Sequence, residues 1–354
     1  MKQSEELREL LHSIHRKSYP AYKGLKGIYD FRTYRLSIDH VQGDPFASPS
    51  SISVRIWRER AGFPDTYLKE DFQRTALADF LTRQFSAAIS RFNFRAKGSG
   101  KSGLLSTSSC SQEILKRTSL SITEKEFIAR FEVGFPANGR TINAPELEKI
   151  FFDFLPKAVT QSFFYRNLKA EEVRQVIELS EDQNFIRKEL PRLGLIAFVA
   201  DGSILPRESG ISQKPMKGSV PFISPESLRV ELTLPHHGKI TGLGIRKGIT
   251  LIVGGGYHGK STLLSALERG VYNHIAGDGR EYVITDPTAV KLRSEDGRLI
   301  REVDISLFIN DLPNKKDTHR FSTPDASGST SQAAGIVESM EAERQVCLLV
   351  EDTS

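Results

Sequence analysis

The sequence predicts an α/β chain: an N-terminal α+β domain over residues 1–165, then an α/β core of phosphate-loop type over 166–354. Three observations carry this expectation. The apolar, β-leaning run Ile249–Val253 leads into Gly254-Gly255-Gly256-Tyr257-His258-Gly259-Lys260-Ser261, and Thr262–Glu268 leads out as a helix, giving strand, glycine loop and helix in that order. A second glycine flanked by small hydroxyl residues, Ser327-Gly328-Ser329-Thr330-Ser331, opens a helical stretch that an apolar strand follows. The N-terminal part instead mixes short alternating strands with one long periodic helix.

Taken in order, residues 4–18 pattern as an amphipathic helix ending at Tyr19-Pro20, and 33–38 as a strand closing on the Gln42-Gly43-Asp44-Pro45 turn. Residues 51–58 alternate as a strand, and 68–91 keep a helical period. Short strands are expected at 104–106, 112–115, 119–122 and 128–133, then a loop at Pro136-Ala137-Asn138-Gly139-Arg140. Residues 145–168 read as helical, 170–179 and 182–193 as two further helices, and 195–199 as a buried strand. The stretch from Asp201 to Pro225, rich in Gly, Pro and Ser, is too long for a simple connection and is expected to be functional or mobile. Strands at 227–234 and 239–243 precede the glycine loop, and a helix at 332–342 precedes a strand at 345–350.

The glycine loop is a complete GxxxxGKS match. Its glycines let successive N–H groups and the helix N-terminus face one anionic centre. In that geometry Lys260 reaches the β- and γ-phosphates of a nucleoside triphosphate and the Ser261 hydroxyl binds Mg²⁺. A guanine-specific enzyme needs DxxG and then NKxD, but here Asp325-Ala326-Ser327-Gly328 follows Asn314-Lys315-Lys316-Asp317, the reverse order. Free N–H groups and hydroxyls at the start of the 332–342 helix make a second phosphate site, and the strand after it ends in the acidic pair Glu351-Asp352, suited to magnesium and to polarising water.

Composition bounds the rest. With 38% hydrophobic and 26% charged residues over 354 positions, the chain is ordinary globular protein with length for two cores. Cys110 and Cys347 lack a CxxC partner, so neither a disulfide nor a zinc site is indicated, and a reducing, cytoplasmic setting is expected. The N-terminus lacks the apolar core of a signal peptide, and the longest apolar run, 195–200, is too short to span a bilayer. Charge is uneven: residues 1–150 carry 24 Lys and Arg against 17 Asp and Glu, the remainder 25 against 27. No acid falls between Asp79 and Glu113, where Arg83, Arg91, Arg95, Lys97 and Lys101 lie with Phe92 and Phe94 between them. Cations for phosphates and rings for bases are what a single-stranded nucleic-acid surface needs. The same alternation fits a β-strand with Phe92 and Phe94 inward and the arginines outward. Gly98-Ser99-Gly100-Lys101-Ser102 lacks the leading glycine of a phosphate loop, because position 95 is Arg95, and reads as a flexible basic hairpin loop.

The strings GGGYHGKSTLL, GVYNHIAGDGRE, EDGR, TPDASGSTSQAA and EDTS, with HVQGDPFASPS and GFPANGR before them, resemble the predicted ATPases of the ABC class over nearly the whole chain, from about Tyr19. The family is soluble and includes a kinetoplastid mitochondrial member associated with RNA editing. The resemblance implies a core of ABC-ATPase type that binds ATP and Mg²⁺ through Gly254, Gly255, Gly256, Tyr257, His258, Gly259, Lys260, Ser261 and Thr262. It also implies a homodimer, in which Ser327, Gly328 and Ser329 contact the γ-phosphate held by the other protomer's loop, with Glu351 as the catalytic carboxylate. An RNA or polyanion surface at Arg91, Phe92, Arg95, Lys97 and Lys101, and no membrane partner, complete the expectation. Arg207 is expected at the surface, Phe222 against adenine or in the core, and Asp278–Glu281 and Glu295–Arg298 as turns.

Two departures modify it. Where the family reads Asp-Glu-Asp-Thr-Ser after the strand, this chain has Val350-Glu351-Asp352-Thr353-Ser354, so the residue that orders the magnesium shell is Val350. The sequence also stops where the family pattern continues, which leads us to expect an incomplete core and slow hydrolysis. The alternative function is a non-hydrolysing nucleic-acid-binding module with ATP as a structural ligand.

Overall fold

A computed structural model describes residues 1–256, 258–313 and 315–350. The chain divides into two compact units, 1–181 and 182–354.

The first unit is built on a seven-stranded sheet. Its main strands are β1 (Gly27–Asp30), β2 (Arg35–His40), β3 (Ser50–Trp57), β4 (Leu105–Ser106), β5 (Leu120–Ile122) and β6 (Glu126–Val133), and Lys2–Gln3 adds a parallel edge beside β1. Alternation along β3 and β6 sends one set of side chains inward: Ile52, Val54 and Ile56 pair across the ladder with Phe131, Ala129 and Phe127, all buried. Helices α1 (Ser4–Ile14), α2 (Asp71–Ser90) and α3 (Leu155–Phe163) contribute to the same core, α2 through Leu77, Leu81, Phe85 and Ile89. A reciprocal capping box between Glu70 and Gln73 starts α2. The chain from 91 to 95, beyond α2, is a series of turns and not the alternative β-strand, so Phe92 and Phe94 do not share a sheet face.

Helix α4 runs unbroken over Ala170–Arg192, where two helices were expected. Ser180, which lies between the two expected helices, is tolerated inside α4 because its hydroxyl donates back to the Ile177 carbonyl.

In the second unit, β7 (Leu195–Ala200), β8 (Arg229–Leu234), β9 (Gly238–Arg246) and β10 (Val283–Thr285) form an antiparallel sheet in the order β8-β9-β7-β10. Helix α5 (Lys260–Arg269) packs Ala266 and Leu267 into a cluster with Ala197, Val199, Val346 and Leu348. The parallel pair β11 (Val290–Arg293) and β14 (Cys347–Val350) and the antiparallel pair β12 (Arg298–Val303) and β13 (Phe321–Ala326) complete the unit with α6 (Gly328–Glu341).

The run Ile249–Val253 is not a strand. Leu251 is 82% and Val253 75% exposed. Composition supplies only a propensity; a strand exists where a neighbour completes its ladder, and among the described residues none pairs with this one.

Candidate nucleotide-binding site

The glycine loop and α5 join as the spacing requires. Gly259 is the N-cap, with φ of +82°, a left-handed conformation that a side chain would strain, and α5 begins at Lys260. No side chain caps this end. The first turn therefore offers free N–H groups and the positive end of the helix dipole to an anion. The Lys260 ammonium lies across the loop, donating to the carbonyls of Gly254 at 2.5 Å and Gly255 at 2.7 Å. Gly255 is held close to the His258 ring: a Cβ there would lie 2.7 Å from Nδ1. Gly254, Gly255, Gly256, His258, Gly259 and Ser261 are exposed and Thr262 half-buried, so the loop is open to ligand; Tyr257 lies outside the described residues.

These residues fit a nucleotide's phosphates: amides, an uncapped helix end and a cation lie together, and the exposed Ser261 hydroxyl would supply one oxygen for magnesium. The carboxylates expected to join it, Glu351 and Asp352, lie outside the described residues. Strand β14 leads to them, with Val346 and Leu348 buried and Val350 half-buried. With the strand's period of two, Val350 falls on the face that packs with α5.

Ser327 is the N-cap of α6, which begins at Gly328 rather than at 332 because the hydroxyls join the first turn. Thr330 and Ser331 donate to the carbonyls of Ser327 and Gly328 at 3.0 and 2.9 Å. The Ser327 hydroxyl makes no cap bond; it lies 3.3 Å from the Ser329 and 3.1 Å from the Thr330 hydroxyl. Ser327 and Ser329 are exposed and Gly328 half-buried. Sequence reading missed what holds this end. The Glu295 amide donates to the Ser331 hydroxyl at 2.8 Å, and Arg298 bonds both the Ser331 carbonyl and Glu338. The EDGR string is thus the buttress of the serine-rich helix start.

Arg207 corrects a second expectation. Its side chain is only 10% exposed and pairs with the fully buried Asp278, whose Oδ2 also meets His274 Nδ1 at 2.7 Å. Arg280, also buried, donates to the Leu205 carbonyl at 3.0 Å. The strings DGSILPR and GDGRE therefore interlock, which fixes one end of the long loop. The loop is not structureless either: Arg207–Ser209 and Ser212–Pro215 form a hairpin. Phe222 is half-buried against the α5 cluster, the core alternative. Nearby, Arg187 bonds the Thr285 carbonyl at 2.7 Å and Asn273 Oδ1 at 3.0 Å, and burial pulls its guanidinium down to about 10.

In the first unit the basic segment is assembled differently from its alternation. Phe92 stacks on Phe154, ring centroids 4.9 Å apart and planes 10° from parallel, and the Arg95 guanidinium lies 5.5 Å from the Phe92 centroid. Arg91, Arg95 and Lys97 are exposed and Lys101 half-buried. The aromatic ring left in solvent is Phe94, 47% exposed.

Two family profiles match the chain. Residues 4–166 match the profile for the N-terminal domain of ATPases of the ABC class, and residues 169–354 match that family's P-loop domain. An uncharacterized protein of Methanocaldococcus jannaschii is 32% identical over 197 residues, 53% of this chain. The match spans 43% of that relative's length. No helix among the described residues is long and apolar enough to cross a membrane.

Proposed function

The chain belongs to the ATPases of the ABC class, and we propose that it binds ATP with Mg²⁺ at the Gly254–Thr262 loop and couples that binding to RNA or another polyanion held by its N-terminal unit. The observation that carries this reading is Lys260: its ammonium bridges the Gly254 and Gly255 carbonyls at the uncapped start of α5, where a phosphate would find a cation and free amides together. Magnesium, when bound, would neutralise charge on the β- and γ-phosphates, with Ser261 contributing a ligand oxygen. The exposed hydroxyls of Ser327 and Ser329 beside Gly328 form the surface that meets a γ-phosphate in a homodimer's composite site. Arg91, Arg95, Lys97 and Lys101 mark the polyanion side, and Phe92 between them is engaged by Phe154.

A second reading is favoured by one residue. Val350 offers no oxygen where the family carries aspartate, which suits a non-hydrolysing nucleic-acid-binding module with ATP as a structural ligand. Glu351 decides between them, since turnover that depends on it belongs only to the first.

Thermal melting tests the nucleotide assignment. Ligand at a hundred times its dissociation constant adds about 2.7 kcal/mol to stability. That is a shift of several degrees for a unit of this size. Lys260→Ala should abolish the ATP-induced shift while melting like the parent without ligand; an unchanged shift would put the site elsewhere.

A further inference from the structure

Three strings of the first unit that have no part in the nucleotide site come together in space. The turn Gly98–Ser102 is not a flexible loop but a clasp. The Lys101 amide donates to the Pro45 carbonyl at 2.8 Å, the Ser99 amide to Ala137 at 2.7 Å, and the Gly139 amide to the Ser99 hydroxyl at 2.9 Å. Two glycines permit this approach: a Cβ on Gly100 would sit 2.4 Å from the Pro45 carbonyl oxygen, and one on Gly134 1.8 Å from that of Lys101. Buried Gln42 ties the layer beneath, bonding the Asp44 carbonyl at 2.9 Å and the Phe135 amide at 3.0 Å. HVQGDPFASPS, GSGKS and GFPANGR thus form one rigid platform.

What the platform displays is unusual. Phe46 is 63% and Phe94 47% exposed. The Phe46 ring edge lies against Gly100, 3.0 Å from where a Cβ would be. Phe94 has φ of +57°, a left-handed conformation that is costly for an aromatic residue and persists only where its surroundings impose it. Here the Phe94 amide donates to the Gly103 carbonyl at 2.8 Å, and the Lys97 ammonium caps the Phe94 carbonyl at 3.3 Å. In and beside these strings, the side chains of Arg91, Lys101 and Arg140 have no acidic partner among the described residues. The neighbouring acids are engaged: Asp44 accepts from the Phe46 and Ala47 amides, and Glu146 accepts from the Lys97 amide and pairs with Lys149.

We propose that this platform is a stacking surface for single-stranded nucleic acid, in which Phe46 and Phe94, not Phe92, receive bases while Lys97, Lys101 and Arg140 neutralise the backbone. The inference rests on the polyanion reading above and specifies its contact residues. Phe92 is occupied on one face by Phe154 and approached by Arg95, whereas Phe46 and Phe94 present ring surface to solvent on a support that needs no ordering when a strand binds. Rings without base-specific donors tolerate sequence, and cations on a fixed support track phosphates, so the partner is an unpaired strand and not a duplex.

The test measures binding of the full chain to fluorescein-labelled 12-mer oligouridylate and oligothymidylate by anisotropy across a salt series, with labelled heparin as a base-free polyanion. Phe46→Ser changes an exposed ring, and Phe94→Asn removes the other while keeping a residue that accepts the left-handed conformation. Each should weaken both oligonucleotides about tenfold without changing the salt slope or heparin affinity. Lys97→Ala with Lys101→Ala should flatten the slope by about 1.4. Parental affinity in both phenylalanine variants would overturn the inference and leave the polyanion reading standing on the arginines. Equal losses for heparin and oligonucleotide would also overturn it, as damage to the support rather than loss of stacking. A parent chain that binds none of the three ligands would bring down both.

Discussion

Arg207 and Asp278 form a buried ion pair in which one guanidinium serves both halves of the same residue: Nη1 donates to the Asp278 carbonyl at 2.8 Å and Nη2 to its Oδ2 at 2.9 Å. The pair ties the loop after β7 to the turn before β10, and His274 Nδ1 closes on the same carboxylate oxygen at 2.7 Å. The fully buried carboxylate is compensated through Oδ2, which meets both Arg207 and His274, while Oδ1 has no hydrogen-bond partner among the described residues.

Asp278→Ala leaves Arg207 buried without its partner, at a cost of about 3–5 kcal/mol. Chemical denaturation should show that loss, and Arg207→Met combined with Asp278→Leu should cost less than the two single changes added. Strict additivity would mean that the pair carries no coupling.

Gly259 makes a separate prediction about the loop. With φ of +82° at the N-cap of α5, Gly259→Ala should lose about 1–2 kcal/mol of stability, and Gly259→Asn less, because asparagine accepts the left-handed region. Denaturation midpoints compared across the three residues check it; alanine as stable as glycine would mean that the turn relaxes to another shape.

The strength of the sequence signal tracks how local its cause is. The join of loop to α5 was legible because GxxxxGKS encodes its own turn, and β7 was legible because a short continuous apolar run is what a buried strand needs. Ile249–Val253 misled because strand formation depends on a neighbour that propensity does not see. Arg207 misled for a similar reason, since its partner lies far along the chain and a single arginine carries no sign of burial. The role of Arg298 was not legible, because its partners Ser331 and Glu338 lie 33 and 40 residues along the chain and meet it only in three dimensions. Phe92 and Phe94 alternate like strand residues, yet the chain turns there, so period two gave no information about which ring would be free.

Ser327 separates a structural serine from a functional one. An N-cap serine replaced by alanine usually costs about 0.5–2 kcal/mol. Here the hydroxyl makes no cap bond, so Ser327→Ala should fall within about 0.5 kcal/mol of the parent. If the hydroxyl meets a partner's γ-phosphate, the same change should remove any ATP-dependent dimer seen by sedimentation velocity. A full cap penalty with an unaltered ATP-dependent dimer would return Ser327 to a purely structural role.

Val350 bears on magnesium. Valine has no oxygen for the cation's shell, so EDTA should reduce the ATP-induced melting shift of the parent only by the part that the phosphates and Ser261 hold, and steady-state hydrolysis should be very slow. Val350→Asp should widen the difference between the two conditions by supplying a carboxylate on the strand face shared with α5. Brisk turnover by the parent that Glu351→Gln removes would show that Val350 is no obstacle.

Phe92 completes the set, because its structure argues for stability where its sequence neighbourhood argued for binding. The ring is stacked within 10° of parallel on Phe154 and approached by Arg95 at 5.5 Å, and it packs on the first unit's core. An aromatic pair contributes about 0.5–1.5 kcal/mol beyond its buried area. Phe92→Ala should therefore lower the melting temperature of the free protein and, below that transition, leave oligouridylate affinity within about twofold of the parent's. Phe92→Leu keeps part of the contact and should fall between. Arg95→Ala should remove one cation from the surface, flattening the salt slope by about 0.7 if that arginine touches a phosphate. A stable Phe92→Ala protein that has lost oligonucleotide binding would mean that the ring leaves Phe154 to stack on a base, and that the bound platform differs from the free one.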